Sequence, residues 1–120
     1  MTRTVLFVCP HGAAKSRMAA AFFNRLAIPG WEATSAGSTP QEEMSGNAIR
    51  LLAGTDAESF LDLTTPRPIS AAPDPTRVVA IDCDVPGAER WNLAHQTFDE
   101  GMRDELRRRA ETLARAVGGG

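Results

Sequence analysis

Cysteine is scarce in this chain: of 120 residues only Cys9 and Cys83 are cysteines. They stand far apart, without the clustering that a disulfide scaffold or a structural zinc site requires, so a reducing cytoplasm is the expected setting. No group of His, Cys or carboxylate residues has ligand spacing, and neither a metal nor another cofactor is expected. An excess of positive charge is lacking too, with 13 Lys and Arg against 15 Asp and Glu and a formal charge of -2. General attraction to nucleic acid or to an anionic membrane surface is thereby excluded, and any bound anion must be caught locally. Long hydrophobic runs are missing: Val5 to Val8 is too short for a signal-peptide core or a membrane span. There is no internal repeat, and the one low-complexity tract, Gly118-Gly119-Gly120, reads as a flexible tail (118–120) behind a single domain over 1–117.

What is present suits one compact domain, with 42% apolar and 23% charged residues. Val5-Leu6-Phe7-Val8 is a continuous run of β-formers, expected of a central parallel strand covered on both faces. Met18, Ala19, Phe22, Phe23 and Leu26 recur at helical spacing until Pro29-Gly30 stops the pattern. Trp31 to Ser35 is a more polar strand, placed at a sheet edge and ended by Ala36-Gly37. Gln41 to Ala53 is expected as a helix with Met44, Ala48, Leu51 and Leu52 on its apolar stripe. Between Asp56 and Asp74 stand Pro66, Pro68 and Pro73, which leave room for at most one short helix. Arg77 to Ile81 is a third strand and Arg90 to Leu93 a short fourth. From about Phe98 to Val117 runs the last helix, with Met102, Leu106, Leu113 and Val117 inward and Arg103, Arg107, Arg108 and Arg109 mostly solvated. Strands alternating with helices give a three-layer α/β domain with a parallel sheet and helices on both sides.

The loop Cys9-Pro10-His11-Gly12-Ala13-Ala14-Lys15-Ser16 joins the most apolar strand to the first helix. Ligands of open α/β sheets bind at this position, beyond the carboxyl end of a central strand. Gly12, Ala13 and Ala14 are small enough for the backbone to bend round a ligand, and the first helical turn points unpaired N–H groups at it. An oxyanion cradle formed by His11, Gly12, Ala13, Ala14, Lys15 and Ser16 is the expected result. Cys9 meets the helix dipole, the Lys15 ammonium and the Ser16 hydroxyl there, which together favour a nucleophilic thiolate.

A strand followed by C-x5-R-S and a helix is the signature of the low-molecular-weight protein tyrosine phosphatases and the related thiol-dependent arsenate reductases. The chain resembles them in VLFVCPHGAAKSRMAAAFF, in TSAG (34–37), in VVAIDC (78–83), in RWNL (90–93) and in its Arg-rich last helix. The resemblance implies a flavodoxin-like, four-stranded parallel sheet of order 2-1-3-4 flanked by helices. It also implies cleavage of phosphomonoesters of the phosphotyrosine type through a thiophosphate on Cys9.

Departures from the pattern are specific. Lys15 replaces an arginine whose planar fork would grip an oxyanion through two N–H bonds. Pro10 removes a backbone donor from the rim. Gly12 replaces an asparagine braced by the serine equivalent to Ser35, keeping the conformation without the brace. The family's Asp-Pro proton donor would fall near Ala94-His95; the only Asp-Pro here, Asp74-Pro75, belongs at the opposite end of the sheet. His95, Asp82, Asp84 and Asp99 are the available substitutes. Arsenate reduction needs no such acid. It needs a second thiol, and Cys83 resembles the first resolving cysteine of the thioredoxin-linked branch, as His11 matches that branch's histidine. That branch's third cysteine is missing, so an external thiol would complete the cycle. The sequence thus supports a phosphatase using Cys9, Lys15 and Ser16, an arsenate reductase adding Cys83 or an external thiol reductant, or a non-catalytic oxyanion- or partner-binding relative.

Overall fold

Thr4 to Cys9 are buried without interruption in the computed structural model, which describes residues 2–119. A strand with no exposed face must lie inside the sheet and between two layers. This strand, β1 (Arg3–Cys9), is paired in parallel with β2 (Trp31–Gly37) on one side and β3 (Arg77–Ile81) on the other. A short β4 (Glu89–Trp91) completes a parallel sheet of order β2-β1-β3-β4. In this register Cys9 lies beside Gly37, Val8 beside Ala80 and Ile81 beside Trp91, so the carboxyl ends of the strands share one edge.

Alternation along β1 divides the core. Val5, Phe7 and Cys9 face the main cluster, where they meet α1 (Lys15–Asn24), α2 (Gly46–Leu52) and α3 (Glu100–Gly118) through Met18, Phe22, Leu52, Met102 and Leu106. Each such fully buried large side chain stabilises the fold by about 2 kcal/mol. Leu6 and Val8 face the other way and meet Ala36, Ile69, Ala72, Val78, Cys83 and Val85. That layer is thin: its helical part is a single 3-10 turn, Ile69–Ala71. The segment that crosses it contains Pro66, Pro68 and Pro73, each lacking the N–H that a helix interior requires.

Several boundaries differ from the sequence expectation. The second helix starts at Gly46, not Gln41, because Ser45 caps it by accepting from Asn47 N at 3.1 Å. The backbone N–H groups of Gln41 and Ser45 are instead given to the loop after β1, as described below. The segment 56–74 forms two 3-10 turns, Glu58–Phe60 and Ile69–Ala71, rather than at most one short helix. The fourth strand is Glu89–Trp91 rather than Arg90 to Leu93. Asp99 caps the last helix by accepting from Met102 N at 3.1 Å, so Phe98 lies outside it, and Gly118 is its final residue. Of the expected tail, Gly120 lies outside the described residues. Among the described residues no helix is long and apolar enough to cross a membrane.

Candidate active site

The chain from Cys9 to Ala14 turns every carbonyl outward. Cys9 O accepts from Ser38 N, Pro10 O from Thr39 N, His11 O from Gln41 N, Ala13 O from Ser45 N and Ala14 O from Met18 N, at 2.7–3.1 Å. Gly12 O accepts from the Arg17 guanidinium, Nε to O 2.8 Å. A peptide unit whose C=O faces out presents the following N–H inward. Among the described residues none of the N–H groups from His11 to Arg17 has a protein acceptor. A run of inward N–H groups at the start of α1 is an anion-binding nest with the partial positive charge of the helix terminus behind it.

Glycine is required twice for this shape. Gly12 has φ +62°, and a Cβ on it would lie 2.6 Å from Gly37 N; a Cβ on Gly37 would lie 2.7 Å from Gly12 N. Loop and strand end touch backbone to backbone, and Gly37 N is fixed by Arg67 O at 2.9 Å. The nucleophile candidate Cys9 sits at the base, its Sγ 3.1 Å from Ser16 Oγ in a hydrogen bond. Both residues are buried, yet Cys9 lines a cavity of about 380 Å³. Ala13, Ala14 and Lys15 line it with Cys9, and the rest of the wall comes from Pro10, His11, Gln41, Ser45, Asn47 and Phe98. Gln41, Ser45 and Phe98 were assigned to helices by their spacing, which concealed their place at the site.

Lys15 takes a different position from the expected one. Its ammonium is 2.8 Å from Asp82 Oδ2, with both side chains largely buried. Asp82 also accepts from Leu93 N at 3.0 Å and Gln96 Nε2 at 3.1 Å, and has φ +53°. Burial alone would push its carboxyl up, but the hydrogen bonds from Lys15, Leu93 and Gln96 hold it below the usual carboxylate range.

None of the candidate proton donors faces the cavity. Asp82 is committed to Lys15, Asp84 pairs with Arg90, and Asp99 caps α3. The His95 ring is 2.9 Å from Glu105 Oε1 through Nδ1 and lies against Gly101. Asp74 is exposed near the amino end of β3, opposite Cys9. Cys83 shares the carboxyl edge of the sheet with Cys9, its Sγ 3.6 Å from Val8 O. The two sulfurs belong to different core layers, Cys9 with the helices and Cys83 with the thin layer. Burial pushes the Cys83 thiol up, and the proximity of Cys9 acts in the same direction.

Arg17, Asp62 and Arg67 are residues that sequence reasoning missed. Arg17 is only 1% exposed and holds Gly12 O, while its Nη1 donates to Asp62 O at 2.6 Å. Its one signal in the sequence was a charge followed directly by the small and apolar run Met18 to Phe23. A larger concavity, about 610 Å³, runs along β4 and α3 and shares no residue with the site. Three of its four arginines, Arg77, Arg90 and Arg109, are paired with Glu89, Asp84 and Glu105, and among the described residues no cysteine or histidine lines it beside Arg108, so the chemistry is assigned to the smaller cavity. Among the described residues no three His, Cys, Asp or Glu side chains converge as a metal site would need.

The parallel sheet of order β2-β1-β3-β4 thus places a cysteine at the carboxyl end of its central strand, beneath a loop of inward N–H groups. No family model and no curated protein matches the sequence. Solved structures do match. An arsenate reductase from Archaeoglobus fulgidus is 29% identical, with 97% of this chain and 99% of that one covered and a TM-score of 0.69. A thioredoxin-dependent arsenate reductase from Corynebacterium glutamicum is 24% identical with a TM-score of 0.72; 97% of this chain matches 62% of that one. The low-molecular-weight protein tyrosine phosphatase from T. tengcongensis shares the fold at 18% identity and a TM-score of 0.66, over 96% of this chain and 99% of that one. The structural neighbours are thus the arsenate reductases and low-molecular-weight phosphatases that the sequence resembles.

Proposed function

We propose that this chain is a cysteine-dependent enzyme acting on tetrahedral oxyanions, with Cys9 as nucleophile and the N–H groups from His11 to Ser16 binding the equatorial oxygens. The outward rotation of every carbonyl from Cys9 to Ala14 carries this reading, since it leaves only donors facing Cys9. Ser16 Oγ, 3.1 Å from the sulfur, supplies a hydrogen bond to the thiolate. A reducing cytoplasm suits a nucleophilic cysteine that must stay unoxidised.

Of the two reactions this chemistry serves, the cavity walls favour arsenate reduction. Hydrolysis of a phosphomonoester needs a proton placed on the departing alkoxide or phenoxide, and among the described residues no carboxylate lines the cavity. In arsenate reduction the Cys9 thiolate bonds to arsenic and the As–O bond to one hydroxyl breaks, that hydroxyl taking a proton from solvent and leaving as water. A second thiolate then attacks the Cys9 sulfur. The S–S bond forms, the S–As bond breaks with its electron pair staying on arsenic, and arsenite departs. Two thiols are oxidised to one disulfide as arsenic(V) becomes arsenic(III). An external thiol entering through the cavity is the better resolving group, because Cys83 lies in the opposite layer.

Phosphomonoester hydrolysis is the second reading. The cavity of about 380 Å³ favours it, having room for an organic group between Phe98 and Asn47 beyond the anion itself. Purified protein should oxidise a thiol in proportion to arsenate, with the activity abolished in Cys9→Ser. Turnover of a small aryl phosphate without arsenate-dependent thiol oxidation would make the second reading correct. If neither reaction occurs and phosphate does not protect Cys9 from alkylation, the enzymatic reading fails.

A further inference from the structure

The asparagine–serine brace expected from the family is absent, yet the loop is held. Arg17 is fully enclosed, and its Nε donates to Gly12 O at 2.8 Å. Its Nη1 donates to Asp62 O at 2.6 Å, and the Asp62 carboxylate lies 3.7 Å from the same nitrogen. Asp62 also receives Arg67 Nη2 at 2.9 Å, and Arg67 Nη1 donates to Ser35 O at 2.8 Å. One carboxylate therefore joins the loop behind Cys9 to the end of β2.

Burying a guanidinium costs several kcal/mol per ion, and a methionine or leucine of similar volume would fill the space more favourably. The charge must therefore act on something. Its target is the carbonyl of the most easily rotated residue in the loop, since Gly12 has no Cβ to resist a peptide flip. Were that peptide to flip, the nest would lose the Ala13 N–H and gain the Gly12 carbonyl oxygen facing the anion.

We infer that Arg17 is the positioning residue of the oxyanion loop, holding the Gly12–Ala13 peptide so that the Ala13 N–H faces a bound tetrahedral anion. This rests on the reading of the loop as an anion site. Arg17 touches neither anion nor sulfur; it acts through Gly12. Asp62 orients it, and the whole device substitutes for the missing asparagine.

The test is the concentration of inorganic phosphate that half-protects Cys9 from iodoacetamide. In Arg17→Gln it should rise by roughly tenfold or more, the effect of one lost and one reversed dipole at an anion. Arg17→Lys, which keeps the charge and one donor, should recover part of that loss. Arg25→Gln is the control: Arg25 caps the far end of the same helix, pairs with Asp56 and Glu111, and stabilises the fold without touching the loop. Its protection curve should match wild type even where its melting temperature falls. Should Arg17→Gln fail to fold, Asp62→Asn keeps the backbone acceptor but removes the carboxylate charge that faces Arg17 at 3.7 Å and holds Arg67 at 2.9 Å, and should shift the curve in the same direction. Protection unchanged in the folded Arg17 or Asp62 variants, or shifted equally in Arg25→Gln, overturns the inference. Absence of protection in the wild-type protein overturns instead the anion site itself.

Discussion

The Lys15 ammonium and the Asp82 carboxylate face each other at 2.8 Å, so the one cation of the loop is engaged by a residue beyond β3 rather than aimed at the sulfur. To reach a bound anion Lys15 must leave a carboxylate that also fixes Leu93 N and Gln96. Asp82→Asn should therefore raise anion affinity, lowering the half-protecting phosphate concentration severalfold. An unchanged or higher value would mean that Lys15 serves the fold and not the anion.

Lys15→Arg offers a planar fork in place of a point charge. It should tighten phosphate binding and raise aryl phosphate turnover, if hydrolysis is measurable, by roughly tenfold. Titration of the alkylation rate with phosphate, compared between the two proteins, checks this directly.

Gly12 and Gly30 both have positive φ, but only Gly12 is crowded, its added Cβ meeting Gly37 N at 2.6 Å. Gly30→Ala should cost about 1 kcal/mol from the left-handed backbone alone. Gly12→Ala adds a backbone clash and should cost about 3 kcal/mol, roughly 10 °C or more in melting temperature. Thermal unfolding of the pair settles the point, and equal losses would refute the close contact between loop and β2.

Cys83 shares the sheet edge with Cys9 but lies in the other core layer. With an external thiol supplied, Cys83→Ser should lower arsenate-dependent thiol oxidation by no more than about threefold, the cost of a packing change rather than of a lost reactant. Complete loss would show that Cys83 crosses to the Cys9 side during turnover.

Glu105 predicts an acid limb in stability. Burial would push its carboxyl up, but hydrogen bonds from the His95 ring, from His95 N and Ala94 N and from Arg109 bring it down to about 2. A folded value below the ordinary 4.5 means that the stabilisation is present above the unfolded value and is lost as pH falls toward 2. Urea unfolding should show a loss on the order of 2 kcal/mol between pH 5 and pH 2 that is flattened in Glu105→Gln.

The apolar runs at 5–8 and 77–81 revealed β1 and β3 because a strand buried on both faces has no polar positions to disguise it. The loop was legible for a similar reason: small residues between a strand and a helix have few other uses. What stayed hidden was long-range. Gln41 to Ser45 can read as a first helical turn, and only the carbonyls of His11 and Ala13, some 30 residues earlier, claim two of those N–H groups. Arg17 carries no local sign of its role, because its acceptors, Gly12 O and Asp62 O, come from two separate parts of the chain. Asp82 draws Lys15 aside across 67 positions of sequence, a pairing that no local pattern encodes.

A loop with every oxygen turned away offers no lone pairs to a positive ion. A magnesium ion would meet none of these carbonyls, and among the described residues only the side-chain oxygens of Gln41, Ser45 and Asn47 on the cavity wall remain for it. If the loop is the anion site proposed above, the outward carbonyls from Cys9 to Ala14 bias the space over Cys9 against cations.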